Sequence, residues 1–452
     1  MKSGNWYCLF FFLLMTHFDS FAQFKMDKIW GNNIKNSLNS INKANDFLID
    51  KSGNCYILGT TWKTDSTKDV LLIKVNPDGK EEWVRTYNNP KQGDDIPFAM
   101  CLDFEGNIWV CGMAKLKPNN GDLLVVKFNS DGIPVNDNIY DGPSHLFDCG
   151  TAITTDSKGN VFVAGYETSV DSGINMVVFR CQSDASFSWK KTYATREMDV
   201  ANSILTDDSS NVYVCGTSNS GLHSADMLLQ KYNSNGDKKW ERIYDGVLSQ
   251  SDFGQFLATD DSMNIYVSGF INSSNSRSDI PVLKYSRGGN LIQESYYNGR
   301  IAACLALSLN PTKNSIFLVG GCNDYNISEN STFLNAFTKG GKEKFLLKAP
   351  TDINFMNCYE VNGSNLILGS KVTHPESTLM PYIGVLAGDS IGWSYADSAI
   401  YGLSYIIATK VSGNEIFFLG DDTGEATGSI SIFKYVLKTD TAYKKPIPKK
   451  KR

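Results

Sequence analysis

Apolar and polar residues alternate along this chain in short runs, and the same kind of run keeps ending on glycine. The runs read "GNCYILG", "GNIWVCG", "GNVFVAG", "SNVYVCG", "MNIYVSG", "NSIFLVG", "SNLILG" and "GNEIFFLG". They end on Gly59, Gly112, Gly165, Gly216, Gly269, Gly320, Gly369 and Gly420, at spacings of 49 to 53 residues. A short apolar run bounded by Asp, Asn and Gly predicts a strand, and two such runs around a tight turn predict a hairpin. Before each run stands a turn such as "DSKGN" (Asp156–Asn160), and before that an alternating segment such as "ANSILTD" (Ala201–Asp207). In the turn, Asp accepts local backbone hydrogen bonds while Gly or Asn supplies a positive φ.

Two further strands complete each copy. The third is "DVLLIKV" (Asp69–Val75), "DLLVVKF" (Asp122–Phe128), "DMLLQKY" (Asp226–Tyr232) or "SISIFKY" (Ser429–Tyr435). A second tight turn, "NPDG", "NSDG", "NSNG" or "SRGG", follows it. The fourth strand pairs a tryptophan with a later tyrosine, as in Trp83 with Tyr87, Trp189 with Tyr193 and Trp240 with Tyr244. Trp83, Trp189, Trp240 and Trp393 each fall 24 residues after a strand-ending glycine. An aromatic at one place in each copy predicts packing between repeated sheets.

Four strands per copy, no helical periodicity and a period near 51 residues predict an all-β chain folded as a β-propeller. Eight four-stranded blades are expected, or seven if the weaker sixth and seventh copies merge. The last copy stops after its third strand. "FKMDKIWGNN" (Phe24–Asn33) resembles the fourth-strand pattern "KKWERIYDG" (Lys238–Gly246). An N-terminal strand should therefore complete the last blade and remove its open edge. The propeller is expected over residues 23–438.

The pattern of a leading Asp, then D-x-x-G-N-V-Y-V-x-G, then D-x-L-L-x-K-Y-x-x-x-G-x-x-x-W, resembles the bacterial beta-propeller repeat family, often described as seven-bladed. The likeness runs from about Phe24 to Lys438 and is strongest in the first five copies. It implies a propeller fold and an exported or surface-associated location, and it implies no reaction.

Composition adds a location. Lys2 followed by the apolar "WYCLFFFLLM" (Trp6–Met15) and the small residues of "SFA" (Ser20–Ala22) reads as a signal peptide over residues 1–22, cleaved before Gln23. No later apolar run is long enough to span a membrane, so a periplasmic, extracellular or surface-associated protein with no transmembrane segment is expected. The net charge is −5, and the last nine residues carry six positive charges, leaving a body at −11. An acidic body argues against nucleic acid as a partner. Residues 439–452 read as a flexible basic tail. Ten cysteines, one of them Cys8 in the signal segment, lack CxxC or CxxxC spacing and predict no disulfide framework. Cys111 and Cys215 precede strand-ending glycines where other copies carry Leu58, Ala164, Ser268, Val319, Leu368 and Leu419. That is a packing slot, in which cysteine acts as a small hydrophobe.

Candidate chemistry is sparse. His145, His223 and His374, the three histidines beyond the signal segment, show no metal-ligand spacing. The Asp-rich turns resemble calcium loops but lack the full ligand pattern, and a hairpin turn explains each residue. No cofactor is expected, with calcium the one candidate. Asp95, Asp148, Asp199 and Asp252 each stand eight residues before a turn Asp, at the head of a first strand. Such a set could ring one mouth of a central channel and bind a cation or cationic ligand. Equally, each could accept backbone N–H bonds from a neighbouring loop. The loops between second and third strands vary freely and carry Trp62, Tyr166, Phe270 and Tyr325, and variable loops on a rigid frame are where binding sits. The expectation is an exported, non-enzymatic binding or scaffold module that meets a protein or glycan at the cell envelope through its long-loop face. A carbohydrate-binding module, or a hydrolase or lyase working in the channel, is the alternative.

Overall fold

The computed structural model describes residues 23–34, 40–63, 67–117, 120–195, 197–219, 224–246, 248–274, 277–297, 303–323, 330–373, 378–400, 403–422 and 429–440. These residues form 32 strands in eight blades. Blades 1 to 7 span residues 41–87, 94–140, 149–193, 200–244, 252–297, 303–348 and 353–396. Blade 8 takes three strands from residues 405–440 and its fourth from Gln23–Ile34. Within each blade the strands pair antiparallel in order, and the first strands of successive blades touch around a closed ring. A single parallel pair, Ser278 with Ala303, links blades 5 and 6. The sixth and seventh copies are separate four-stranded blades, so the count is eight.

The ring closes as the chain ends suggested. The N-terminal strand pairs antiparallel with Ser429–Asp440, from Gln23 opposite Asp440 to Ile34 opposite Ile430. The last strand thus runs two residues past the expected boundary at 438, because Gln23 and Phe24 give it backbone partners there. Most of the core lies between blades: Ile34 of the closing strand packs with Phe47, Ile57 and Ile73 of blade 1 and with Phe417 and Ile430 of blade 8.

All eight first strands share a β-bulge at one place. Register slips at Asn45, Phe98, Thr151, Asn202, Gln255, Leu307, Met356 and Ile407. An extra residue bends the strand, and it drives the carbonyl two residues earlier toward the strand-ending glycine. A β-carbon on Gly112, Gly165, Gly216 or Gly269 would stand 2.1, 1.9, 1.9 or 1.8 Å from the carbonyl oxygen of Ile96, Cys149, Val200 or Phe253. At these four positions the glycine is there for close approach. Bulge side chains also stitch the blades: Asn45 Nδ2 donates to Pro97 O at 2.9 Å, Thr151 Oγ1 to Ala201 O at 2.6 Å, and Asn202 Nδ2 to Gly254 O at 2.7 Å.

The tryptophans do the same at the rim. Trp30, Trp83, Trp189 and Trp240 lie against Gly79, Gly132, Gly236 and Gly289, the second-turn glycines of the next blade. Those glycines have φ of 73° to 84°, or 86° at Gly289, so the turn needs glycine twice over, for its backbone and for the indole above it. Trp30 Nε1 donates to Pro77 O at 2.8 Å, Trp189 Nε1 to Ser234 O at 3.1 Å and Trp240 Nε1 to Arg287 O at 3.3 Å. Trp393 of blade 7 has no such turn ahead of it, because blade 8 takes its fourth strand from the other chain end. It packs on Phe24 of that strand instead, ring centroids 6.2 Å apart.

Candidate functional site

The conserved-looking turns are closed units. In "DDSSN", Asp207 Oδ1 accepts the N–H of Ser209 at 2.9 Å and of Asn211 at 2.8 Å, and Oδ2 accepts Asn211 Nδ2 at 2.8 Å and the Tyr213 hydroxyl at 3.1 Å. Asp50, Asp103, Asp156 and Asp260 repeat the backbone bonds. The aromatic two residues into the following run is therefore a partner of the turn: Trp109 Nε1 donates to Asp103 at 3.0 Å, and Tyr266 Oη to Asp260 at 3.0 Å. Asp260 is the most strongly held. Burial opposes its charge, but hydrogen bonds from Asn264 and Tyr266 and the nearby Lys339 outweigh it and lower the carboxyl to about 2.

Asp95, Asp148, Asp199 and Asp252 lie where blades 2 to 5 begin, and each is 0% exposed. Their N–H groups donate back to the third strand of the preceding blade, or the residue before it, at Lys68 O, Gly121 O, Ile174 O and Ala225 O, over 2.6 to 2.7 Å. Their carboxylates take donors from the incoming connection and, at Asp148, Asp199 and Asp252, also from the blade's own second strand or the loop after it. Asp148 accepts Gly142 N at 2.5 Å and Thr168 N at 3.0 Å. Asp252 accepts Gly246 N at 2.5 Å and Asn272 N at 3.2 Å. Asp199 accepts Thr195 N at 2.6 Å and Asn219 N at 3.1 Å. Asp95 accepts Asn89 N at 2.7 Å and Asn89 Nδ2 at 2.8 Å. Asp148, Asp199 and Asp252 are each a clasp of two backbone N–H groups, and Asp95 is held by the backbone N–H and side-chain amide of Asn89. Burial pushes Asp95, Asp148 and Asp252 up to about 6 against these hydrogen bonds, and raises Asp199 as well.

At two junctions further carboxylates converge on the clasp. Asp122 and Asp141 join Asp148, and Asp226 and Asp245 join Asp252, each trio with one oxygen per residue within 4.8 Å of the others. These, and not the turns, are where carboxylates could meet a divalent cation. His145 Nδ1 lies 2.8 Å from Asp141 Oδ2 at the surface. His223 and His374 lie outside the described residues.

Of the loop-face aromatics, Trp62, Tyr166 and Phe270 are half-buried. Lys68 Nζ sits 5.6 Å from the Trp62 ring centre. Tyr166 lies opposite Cys149, with its hydroxyl pushed up to about 12 by burial. Phe270 stacks on Phe253 at 4.5 Å. Tyr325 lies outside the described residues. Large exposed hydrophobic side chains on this face fall on residues that sequence patterns did not single out: Phe147, Met198 and Leu248 in blade-to-blade connections, Val170 in a second-to-third loop, and Tyr405 at the head of blade 8. A lone apolar residue in a polar connection carries no periodicity by which to find it. Also missed was a strut between blades 2 and 3. There buried Glu167 accepts the Tyr140 hydroxyl at 2.6 Å and Thr192 Oγ1 at 3.1 Å, and it pairs with Lys190.

Cys55, Cys101, Cys111, Cys149, Cys181, Cys215 and Cys358 are buried and free. Cys101, Cys111 and Cys181 share one core between blades 2 and 3. Burial pushes Cys55 and Cys149 up to about 12 and raises the other five further. That removes nucleophilic thiolate at neutral pH.

Residues 197–223, which hold the Asp199 clasp and the Asp207 turn, match the family described as SBBP, beta-propeller repeat. That segment matches one beta-propeller repeat. No curated protein matches this propeller. Among solved structures it is similar to the polysaccharide lyase Uly1, at 10% identity and a TM-score of 0.47 over 87% of this chain and 89% of that one. It is also similar to a protein of unknown function from Dyadobacter fermentans, at 10% identity and a TM-score of 0.41 over 91% and 99%. The propeller domain of the Trilobed protease from Pyrococcus furiosus is similar at 12% identity and 0.42, over 78% and 98%. Likeness at this level says nothing about chemistry.

Proposed function

We propose that this propeller is an exported, non-enzymatic binding or scaffold module that meets a protein or glycan at the cell envelope through its long-loop face. The observation that carries the reading is the exposed apolar set Phe147, Val170, Met198, Leu248 and Tyr405, contributed by blades 3, 4 and 8 and their connections on that one face. Exposed apolar side chains on a frame clasped where blades 2 to 5 begin offer surface that can bury against a partner at little ordering cost. The buried carboxylates of Asp148 and Asp252 are spent on backbone N–H groups, which supports binding over acid–base catalysis. The test is a pull-down from the envelope of the exporting cell. The wild-type chain should recover a partner that the triple variant F147S/M198S/L248S loses at unchanged melting temperature. Equal recovery by the variant would sink the loop-face reading.

A further inference from the structure

The rim follows a rule at four junctions: two residues after the docked tryptophan or its counterpart, a fourth-strand side chain donates to the second-turn residue of the next blade. Asn32 Nδ2 donates to Gly79 O at 3.2 Å, Asn138 Nδ2 to Ala185 O at 3.1 Å, Arg242 Nε to Gly289 O at 2.5 Å and Ser295 Oγ to Gly341 O at 2.9 Å. Between blades 1 and 2, Arg85 fills the place by packing, its Cγ against Gly132 and its guanidinium 5.5 Å from the Trp83 ring centre. Between blades 3 and 4 the position belongs to Lys191. Its chain crosses Gly236 without a hydrogen bond to it, and it has no hydrogen-bond or ion-pair partner among the described residues. A cavity of about 370 Å³ opens at that junction, lined by Lys191, Thr192 and Tyr193 on one side and by Tyr232, Asp237 and Lys238 on the other.

The lining states what would fill it. The two phenol hydroxyls turn away, Tyr193 to Ser218 at 3.1 Å and Tyr232 to Gln230 at 2.6 Å, so the rings offer apolar surface. Lys238 Nζ lies 5.9 Å from the Tyr193 ring centre and is paired with Glu241 at 2.8 Å. Asp237 accepts Asn233 Nδ2 at 2.8 Å and keeps acceptor capacity. The groove therefore presents one uncompensated ammonium, a carbonyl and a carboxylate that can take hydroxyl donors, and a ring face. A carboxylated sugar has the complementary set: one anionic group, several hydroxyl donors and an apolar C–H face. We propose that the groove between blades 3 and 4 binds a hexuronate, with its carboxylate on Lys191, its hydroxyls on Gly236 O and Asp237, and its ring against Tyr193. The volume lies at the small end of ligand sites. This site stands apart from the loop face and does not depend on it.

The experiment is calorimetric and NMR titration of the full exported chain with glucuronate, and separately with glucose and with inorganic sulfate. Glucuronate should bind saturably and at least about tenfold more tightly than either control, the range of one charge-assisted hydrogen bond. Lys191→Asn supplies the donor that Asn138 supplies at its own junction. It should close the groove and lose glucuronate about tenfold or more while melting at or above the wild-type temperature. Lys191→Ala should lose the same affinity without that gain. Absence of saturable glucuronate binding, equal binding of glucose or of sulfate, or undiminished binding by Lys191→Asn would each overturn the proposal.

Discussion

Gly216 stands so close to Val200 that a β-carbon on it would come 1.9 Å from the Val200 carbonyl oxygen. The obstacle is backbone, held by the bulge at Asn202, and cannot rotate away as a side-chain tip can. Gly216→Ala should therefore destabilise the propeller by about 2–3 kcal/mol, an overpacking cost. Gly420 gives the contrast. The equivalent carbonyl, on Tyr405, lies 3.2 Å away, and two Leu403 methyls lie at 3.1 Å. Gly420→Ala should cost under about 1 kcal/mol. Chemical denaturation of both variants checks the pair, and equal losses would show that close approach to the bulge is not what selects the glycine.

Closure depends on the N-terminal strand docking on blade 1 as well as pairing with blade 8. Trp30 Nε1 bonds Pro77 O at 2.8 Å and its ring covers Gly79. Trp30→Ala removes both a buried face and a satisfied donor, with an expected loss of about 3 kcal/mol. Because the loss falls on a closing strand, it should also speed proteolysis near residue 34 before global unfolding. Limited proteolysis read by mass spectrometry decides it. Cleavage no faster than in wild type would place closure in the Ser429–Asp440 pairing alone.

Two sets of aspartates pull stability in opposite pH directions. The clasps at Asp95, Asp148 and Asp252 titrate near 6, above an unfolded value of 3.8, so the folded chain holds protons that the unfolded chain has released. Their contribution is full below 3.8 and is lost as pH rises through about 6. Asp260 titrates at about 2, so its contribution is present above 3.8 and is lost as pH falls through about 2. Stability should therefore climb from pH 2 to 4 and decline from pH 4 to 6. Measured against Asp252→Asn, the wild type should lose part of its relative stability across pH 4 to 6. A flat difference over that window would contradict the burial-driven rise.

The architecture was legible because it repeats. The D-x-x-G-N turn, the glycine-ending run and the tryptophan recur at fixed spacing, and each proves to be a distinct contact: Asp207 with its own turn, Gly216 with a carbonyl, Trp240 with Gly289. The bulge was illegible because its residues share a place and not a type: Asn45, Phe98, Thr151, Asn202 and Gln255 are of four residue types. The spacing of Asp148 and Asp252 marked them as equivalent. It could not choose between ligand and clasp, because the donors are backbone N–H groups that any sequence supplies. Lys191 was invisible for a related reason. A lysine in "SWKKTY" departs from the rim rule only once Asn32, Asn138, Arg242 and Ser295 are seen to obey it.

Asp207 distinguishes a hairpin turn from a calcium loop. Its two oxygens take two backbone N–H groups, an amide, the Tyr213 hydroxyl and, across the blade junction, Arg287 Nε at 3.2 Å. A carboxylate so fully engaged has little capacity left for a cation, and removing it strands several donors at once. Asp207→Ala should cost about 2–4 kcal/mol, the penalty for leaving buried donors unanswered. Arg287→Ala removes one partly exposed cation and should cost about 1 kcal/mol or less. A calcium chelator should leave the melting temperature of the wild type and of Asp207→Ala where it was. If chelation instead lowers the wild-type melting temperature and calcium restores it, the ion must sit elsewhere. The trio Asp122, Asp141 and Asp148 is then the first place to substitute, because it brings one oxygen from each of three carboxylates within 4.8 Å of the others.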